Sequence, residues 1–355
     1  GCDPLKCRYV HRPLSATAYP IPYPPSPTPF PMPHAIRIHA HGGPEVLRWE
    51  PVVAAQPGRG EVLIRQTAIG LNFIDVYERT GLYAGALPSG LGREGAGVVE
   101  EVGPRVTGIA VGDRVAYASA TPGAYAQERV MPADRVVKIP EGVSDRLAAA
   151  AMLKGLTARF LVRQTHRVRK GETVVVHAAA GGVGLIVAQW ARHLGATVIG
   201  VVGSDAKAAV ALQHGCHHAL VLGRDDLAAR VREQTGGLGA HVVYDSIGKD
   251  TFFASLDCLR PLGMMVTYGN ASGPVPPVAP LELAKRGSLF LTRPILFHYI
   301  ARRADLERAA RELFEVIGRG VVRIEIGQSY ALQDVAHAHR DLEARRTVGS
   351  TVLIP

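Results

Sequence analysis

The sequence predicts an α/β protein in which a doubly wound parallel sheet is joined to a second, β-rich domain. Two observations predict the sheet: strand-like and helix-like segments alternate from residue 173 to residue 268, and a glycine-rich turn follows the first strand directly. A third observation predicts the β-rich domain, because short alternating segments with frequent glycines run from His34 to about Ala133. At 355 residues the chain is long enough for about two domains.

The glycine-rich turn predicts a dinucleotide-binding site. A β-branched run from Thr173 to Val176 has the character of a buried parallel strand. The turn after it has the pattern Ala-x-Gly-x-x-Gly, a variant of the Gly-x-Gly-x-x-Gly fingerprint, in which small residues let the backbone approach a pyrophosphate. The following helix, about Gly182 to Leu194, would point its free amide groups at the phosphates. The turn residues concerned are Ala179, Gly181, Gly182, Val183 and Gly184.

The tip of the second predicted strand, Thr197 to Val202, favours NADPH. Chains that bind NADH usually carry Asp or Glu near this tip to hold the ribose hydroxyl. This chain has Gly203, which leaves room, and then Ser204 and Lys207, a hydroxyl and a cation that suit a 2′-phosphate. Asp205 leaves the alternative open, because its carboxylate could serve the ribose of NADH instead.

Composition argues against several other classes of protein. The net charge of +9 is carried by 33 Arg and 7 Lys that are scattered along the chain, so no nucleic acid is expected as a partner, with RNA binding left open as a side activity. The four cysteines form no Cys-x-x-Cys pair, which argues against a disulfide framework or a structural zinc site and fits a reducing, cytoplasmic location. No apolar run reaches the roughly 18 residues of a membrane span.

The first 33 residues differ from the rest, because they contain 10 of the 25 prolines. Such a composition favours extended, solvated backbone, so residues 1–31 are predicted to be a disordered extension. We expect Met32 to be the natural start, with an extended gene prediction or a cloning remnant upstream. A proline-rich docking arm is the alternative.

The last part of the chain is predicted to return to the β-rich domain, which would make that domain discontinuous. The pattern predicts a helix at about Asp305 to Gly318, a strand near Val321 to Ile326, a helix at about Asp334 to Arg345 and a closing strand at Ser350 to Ile354.

Several stretches together carry a family resemblance that runs from about Met32 to Pro355. They are His41-Gly-Gly-Pro-Glu-Val-Leu, Gly70-Leu-Asn-Phe-Ile-Asp-Val-Tyr, Gly81-Leu-Tyr, Lys154-Gly-Leu-Thr, the Ala-Ala-Ala-Gly-Gly-Val-Gly turn, Val243-Tyr-Asp-Ser-Ile-Gly and Tyr268-Gly-Asn. In this order they resemble the zinc-free, zeta-crystallin-like NADPH:quinone oxidoreductases of the medium-chain dehydrogenase/reductase superfamily. The resemblance implies a GroES-like catalytic domain over residues 32–155 and 296–355, and a Rossmann NADPH-binding domain over residues 156–295.

The same resemblance implies an enzyme that reduces quinones with NADPH in the cleft between the domains. It places Asn72, Tyr77 and Tyr83 in the substrate pocket, where an amide and two phenols would donate to quinone oxygens. It also implies a homodimer in which the run Ser288 to Thr292 pairs with its copy. Further cofactor contacts implied by the resemblance are Phe73, Tyr77, Lys154, Thr157, Ser246, Tyr268, Gly269, Asn270 and Arg345. Leu222 stands where the family often has a Tyr, and its side chain can still cover the adenine face.

The residues at the metal positions of related zinc enzymes predict that this chain holds no catalytic zinc. Asn72 stands where those enzymes have a Cys, and Arg93 stands where they have a His. A guanidinium cannot ligate zinc. The remaining histidines are expected to lie on surface helices and turns rather than in a metal site. Those singled out are His214, His217, His218, His337 and His339.

Two other functions remain open at the level of sequence. A reductase of activated carbon–carbon double bonds, such as enones or alkenals, needs the same hydride donor and the same kind of electrophile. A nucleotide-binding protein with an RNA-binding role would bind NADPH tightly without turnover.

Overall fold

The computed structural model describes residues 32–53 and 55–355, and the predicted extension over residues 1–31 lies outside them. The first part of the chain is mainly β, as predicted. Its elements are β1 (His34–Ile38), β2 (Arg48–Pro51), β3 (Glu61–Leu71), α1 (Phe73–Thr80), β4 (Ser89–Gly90), β5 (Glu94–Val102), β6 (Arg114–Ala118), β7 (Glu128–Pro132) and β8 (Val137–Lys138).

The middle and last parts alternate between helices and strands. After α2 (Asp145–Phe160) and a π-helical turn at Leu161–Thr165, the elements are β9 (Thr173–His177), α3 (Gly182–His193), β10 (Thr197–Val202), α4 (Asp205–Gln213), β11 (His218–Val221), α5 (Leu227–Gln234), β12 (Ala240–Asp245), α6 (Phe252–Asp257), β13 (Leu259–Thr267), α7 (Leu281–Lys285) and β14 (Phe290–Thr292). The chain ends with α8 (Leu296–Tyr299), α9 (Arg303–Gly318), β15 (Ile326–Ala331), α10 (Val335–Glu343) and β16 (Ser350–Ile354).

Strands β9 to β14 form a six-stranded sheet in the order β11-β10-β9-β12-β13-β14, and every neighbouring pair is parallel. Numbered from β9, this is the order 3-2-1-4-5-6 of a doubly wound dinucleotide-binding sheet. The direction of strand order reverses beside β9, so a ligand crevice is expected at the carboxyl ends of β9 and β12. The predicted Rossmann sheet is confirmed.

The β-rich domain is discontinuous, as predicted. The C-terminal strand β16 pairs antiparallel with β3, and β15 joins β16, within a seven-stranded sheet that otherwise comes from the first part of the chain. The strand predicted near Val321 to Ile326 is wrong in position, because strand pairing starts only at Ile326. Before that, Val322 N donates to Val316 O at 3.1 Å, so this segment closes the end of α9. The domain boundaries at 155/156 and 295/296 stay predictions.

Helix α2 is buried on nearly all sides and packs against elements of both sheets. Its run Ala148 to Ala151 is fully buried, and it contacts β3, β5 and β6 of the β-rich domain, as well as α3 of the Rossmann domain. Small side chains allow this close approach, and a helix that is apolar all round belongs in a core. Residues on α2 are therefore held rigidly between the two domains.

A buried chain of hydrogen bonds fixes α1 against α10. Arg79 Nη1 donates to His339 Nδ1 at 3.0 Å, and the same guanidinium donates to Glu343 at 2.7 and 2.9 Å and to Gly42 O at 3.1 Å. His339 Nε2 lies 3.1 Å from Tyr125 Oη, which donates to Asp75 Oδ2 at 2.7 Å. Because a guanidinium can only donate, His339 accepts at Nδ1 and carries its proton on Nε2.

The position of His339 corrects the expectation that it lies on the surface. Its side chain is fully buried, and burial together with the charge of Arg79 lowers its pKa to about 3. Burial, and secondarily the charge of neighbouring Glu78, raises the pKa of Asp75 to about 7. Both groups are therefore neutral over ranges where they would ordinarily be charged.

Among the described residues, no helix is both long enough and apolar enough to cross a membrane.

We expect Asp75→Asn to stabilise the protein in alkaline solution. The pKa of Asp75 is higher in the folded state than in the unfolded state. Its contribution to stability is therefore fully present below the unfolded pKa of about 4 and is lost as pH rises through the folded pKa of about 7. The asparagine of this variant does not titrate and keeps an acceptor for Tyr125. The variant should therefore exceed the wild type by roughly 2 to 4 kcal/mol at pH 8.5 and lose that advantage near pH 4. Urea unfolding across this range is the measurement.

Asp113→Asn is the matched control with the opposite sign. Hydrogen bonds from Lys138 and Ala110 N hold the pKa of Asp113 below its usual range, so its contribution is present above the unfolded pKa and lost on acidification. This variant should be less stable than the wild type at neutral pH. Parallel curves for Asp75→Asn and the wild type at every pH would contradict the prediction, because they would mean that the pKa of Asp75 is the same in the folded and unfolded states.

Candidate functional site between the two domains

The glycine-rich turn lies at the carboxyl end of β9, where the strand order reverses. A Cβ on Gly184 would clash with Ala178 O, so only glycine allows α3 to start this close to the strand. Gly200 on β10 gives room for the Ala179 side chain, which takes the first place of the fingerprint. The turn is also held from outside, because Gly349 N donates to Ala180 O at 2.9 Å. All five predicted turn residues therefore lie at this edge.

The end of β10 has an open position beside two cations. A Cβ at Gly203 would meet no atom within 4 Å. Ser204 Oγ accepts from Lys207 N at the start of α4, while Lys207 Nζ donates to Arg345 O at 2.6 Å. Burial, and secondarily the charge of Arg345, lowers the pKa of Lys207. Two like charges held together beside open space form a site that an anion would stabilise.

Arg345 has a left-handed backbone conformation, with φ of +58°. This conformation costs a non-glycine residue energy, and such strain concentrates at functional positions. It directs the Arg345 carbonyl to Lys207 and so ties the C-terminal segment to the end of β10. Asp205 is engaged elsewhere, because it pairs with Arg224 at 2.8 Å on the exposed side of α4.

The other predicted cofactor residues mostly follow the same edge of the sheet. Ser246 follows β12 and touches Gly269 after β13, where a Cβ would clash with Ser246 O. Tyr268 is half-buried beside them, and Leu222 is half-buried at the end of β11. Thr157 is buried one turn beyond Lys154 on α2, and within the described ranges its side chain makes no hydrogen bond to another predicted site residue.

A buried ion pair lies beneath the turn. Lys154 Nζ on α2 donates to Glu94 Oε2 on β5 at 2.7 Å, and both side chains are almost completely buried. Asn72 Nδ2 donates to the same oxygen at 2.9 Å, and Leu153 N donates to Oε1 at 2.7 Å. A Cβ on Gly182 would lie 2.7 Å from Lys154 Cδ, so the lysine stem passes directly under the start of α3.

This ion pair changes the role expected for Asn72. Its amide was predicted to donate to a substrate oxygen, but both amide hydrogens are in use, toward Glu94 Oε2 and toward Gly70 O at 3.3 Å. The physical reason is that a buried carboxylate needs several donors. In this structure Asn72 positions Glu94.

The two predicted tyrosines come together with Asn270 from the other domain. Asn270 N donates to Tyr77 Oη at 2.7 Å, and Asn270 Nδ2 donates to Tyr83 Oη at 3.2 Å. Tyr77 and Tyr83 pack edge to face with ring centroids 5.2 Å apart, and Phe73 lies 5.7 Å from Tyr77. Burial raises the pKa of Tyr77 to about 12, so its phenol stays protonated at neutral pH.

Sequence reasoning missed Arg293 as a site residue. Arg293 Nη2 donates to Tyr83 Oη at 3.0 Å, and Nη1 donates to Thr267 O at 3.2 Å. Its signal was visible, since Arg293 is the single charge in the apolar stretch from Ser288 to Leu296. Glu94, which follows Arg93 in the sequence, was not predicted as a site residue either, yet it is the carboxylate that Lys154 and Asn72 hold.

Two family models match the chain. Residues 58–141 match the model described as "Alcohol dehydrogenase GroES-like domain", and residues 182–315 match the model described as "Zinc-binding dehydrogenase".

Three relatives cover nearly the whole described chain. This chain is 52% identical over 321 residues to a quinone oxidoreductase of Pseudomonas aeruginosa, and the match covers 90% of this chain and 99% of that protein. It is 48% identical over 325 residues to a 2-haloacrylate reductase of a Burkholderia species, covering 90% and 98% of the two chains. Among solved structures, the Escherichia coli quinone oxidoreductase complexed with NADPH is 46% identical with a TM-score of 0.89, covering 91% of this chain and 100% of that chain.

The residues of this chain do not fit the zinc named by one family model. Arg93 donates to Glu78 Oε1 at 2.5 Å and lies 5.6 Å from the centre of the Phe297 ring. The Lys154 ammonium lies 2.7 Å from Glu94 Oε2, so the nearby carboxylate is already neutralised by a cation that would repel a metal ion. Within residues 32–53 and 55–355, no three His, Cys, Asp or Glu side chains are grouped as metal ligands.

Proposed function

The chain belongs to the quinone oxidoreductases of the medium-chain dehydrogenase/reductase superfamily, and from this premise we propose that it reduces quinones with NADPH in the cleft between its two domains. One observation carries the proposal: two phenol groups from the β-rich domain meet backbone and side-chain donors from the Rossmann domain. That arrangement supplies hydrogen-bond donors to a substrate oxygen without a metal ion.

The residues of the chain fit NADPH. The close approach of α3 at Gly184 leaves the turn backbone free to face a pyrophosphate. Gly203 is open, Ser204 follows it with a hydroxyl, and Lys207 lies close to a second cation, Arg345, a set of groups that suits a 2′-phosphate. When bound, NADPH supplies the hydride.

The two tyrosines are the proposed donors to the substrate. A phenol has one hydrogen and two lone pairs. Tyr77 Oη accepts from Asn270 N, and Tyr83 Oη accepts from both Asn270 Nδ2 and Arg293 Nη2, so the hydrogen of each phenol is left for another acceptor. A quinone oxygen gains negative charge as it is reduced, and fixed donors at that point lower the barrier.

Arg293 strengthens this effect through Tyr83. Its guanidinium donates to Tyr83 Oη, which polarises the phenol and makes its hydrogen a better donor. Asn72 takes a positioning role in this proposal, because it holds Glu94 and the start of α1 rather than the substrate.

Reduction of an activated carbon–carbon double bond is the second candidate function. The relative that favours it is the 2-haloacrylate reductase at 48% identity. An enone or acrylate also places negative charge on a carbonyl or carboxyl oxygen during hydride addition, so the same two phenols would serve it.

We also propose a homodimer built on β14, the edge strand of the Rossmann sheet. Phe290 and Leu291 on this strand are 57% and 38% exposed, although both are large and apolar. An uncharged edge strand invites pairing with another copy. The cytoplasmic location expected from the sequence stays a prediction.

Replacing either phenol should slow quinone reduction. We expect Tyr77→Phe and Tyr83→Phe to lower kcat by about tenfold to hundredfold, because each removes one donor to the developing charge. The assay follows NADPH oxidation with 1,4-benzoquinone and, in parallel, with an enone. Tyr330→Phe is the matched control, because that phenol donates to Asp341 at 2.6 Å, away from the cleft. Unchanged kcat in both cleft variants would refute the assignment of the donors. Faster turnover of the enone in the wild type would favour the second candidate function.

Lys207 should determine cofactor preference. We expect Lys207→Gln to raise KM for NADPH at least about tenfold while leaving KM for NADH unchanged, because only NADPH carries the 2′-phosphate. Lys285→Gln, which removes an exposed lysine paired with Glu282, is the control. Equal losses with both cofactors would show that Lys207 supports the fold rather than the phosphate.

A charge on the edge strand should separate the subunits. Sedimentation at low concentration should give a dimer for the wild type and a monomer for Leu291→Lys, because a lysine on an edge strand opposes pairing. Leu238→Lys changes an apolar side chain that is 73% exposed in a loop, and it should remain dimeric. A monomeric wild type would contradict the proposed interface.

A further inference from the structure

A cavity lined by four arginines lies away from the site described above. Its volume is about 500 Å³, and its polar lining comes from Arg159, Arg163, Gln164, Arg167 and Arg308, with Val162 and Val168 as the apolar part. These residues come from the end of α2, the π-helical turn, the loop before β9, and α9. The loop enters β9 at its amino end, whereas the glycine-rich turn follows the carboxyl end of that strand. The cavity is therefore separate from the proposed cofactor site.

Only part of the positive charge in this cavity is neutralised. Arg159 forms two hydrogen bonds to Glu312, each 2.9 Å long, and a third to Gln164 Oε1 at 2.6 Å. Arg308 pairs with Asp305. By contrast, within residues 32–53 and 55–355 the guanidinium groups of Arg163 and Arg167 have no hydrogen-bond or ion-pair partner. Two guanidinium groups without a direct partner thus line one concave surface, and the charge of Arg163 also helps to lower the pKa of nearby Glu312.

The local sequence concentrates these cations. Arg159 and Arg163 are four residues apart, a spacing at which like charges on a helix repel each other, and Arg167 follows in the loop after the π-helical turn. The helix also widens to a π-turn over Leu161–Thr165, a distortion that occurs frequently at functional sites.

We propose that this cavity binds an anion with two or more adjacent phosphate groups. Guanidinium groups present planar pairs of N–H donors that match phosphate oxygens. The buried Arg159, held by Glu312 and Gln164, supplies a fixed wall, and Arg163 and Arg167 supply the free charge. A volume of about 500 Å³ suits a small ligand rather than the flat surface that follows a nucleic-acid backbone.

The test is calorimetric titration of the full chain, saturated with NADPH, with sodium tripolyphosphate. We expect saturable binding of one tripolyphosphate per chain. The double variant Arg163→Gln/Arg167→Gln should bind at least about tenfold more weakly, because two charge-assisted contacts are lost. Both residues are exposed, so the variant should fold and keep its quinone reductase activity.

Arg319→Gln is the control, because Arg319 is an exposed arginine at the end of the same helix α9 and lies outside the cavity. The same weakening in this control, or no saturable binding by the wild type, would overturn the proposal. The proposal would also be overturned if tripolyphosphate bound to the NADPH-free protein but not to the NADPH-saturated protein, because the anion would then be using the cofactor site.

Titrations with ATP and with an RNA oligonucleotide show which kind of phosphate-containing molecule the cavity binds. Equal affinity for ATP and tripolyphosphate supports recognition of the phosphate chain alone, and tighter binding of ATP supports a nucleotide in the same cavity, provided that the double variant weakens both. Binding of an RNA oligonucleotide in the absence of tripolyphosphate binding would overturn the small-anion site in favour of a nucleic-acid surface.

Discussion

The buried ion pair between Lys154 and Glu94 is the constraint on which the arrangement of the two domains depends. Each charge would cost several kcal/mol to bury alone, so the pair is stable only while every donor around Glu94 stays in place. Two of those donors, Leu153 N and Lys154 Nζ, lie on α2, and the third is the side-chain amide of Asn72 at the start of α1. The same lysine stem runs under Gly182 in the glycine-rich turn. A single buried carboxylate thereby sets the distance between the β-rich domain and the cofactor edge of the Rossmann sheet.

From this fixed base, the cleft takes its chemistry from groups that belong to different domains. Tyr77 follows Asn72 by little more than one helical turn, so the position of Asn72 sets the position of the phenol. Asn270 and Arg293 reach the phenols from the ends of β13 and β14. In the proposed reaction, hydrogen-bond donors rather than a metal ion meet the substrate oxygen. A quinone suits such a site because it is already electrophilic and needs less stabilisation than a developing alkoxide.

The sequence predicted the Rossmann sheet well because its signals are local. β-branched runs, helical periodicity and the glycine spacing all act within a few residues, and the strand order follows from connections of limited length. The strand near Val321 was misplaced for the opposite reason: apolar residues there pack around the end of α9, and only pairing with β16 decides where β15 begins. His339 was expected on the surface together with the other histidines, whereas its burial depends on Arg79 and Tyr125, which are distant from it in sequence.

The sequence by itself therefore determined the fold class and the family, and it predicted the glycine-rich turn and the two phenols as site residues. The tertiary structure alone decided that Asn72 donates to Glu94, that Arg293 donates to Tyr83, that Asp205 is paired with Arg224 while Lys207 meets Arg345, and that four arginines line one cavity. The physical reason is the same in each case. A hydrogen bond or a charge pair depends on which distant segments meet within about 3 Å, and no local pattern in the chain encodes that distance.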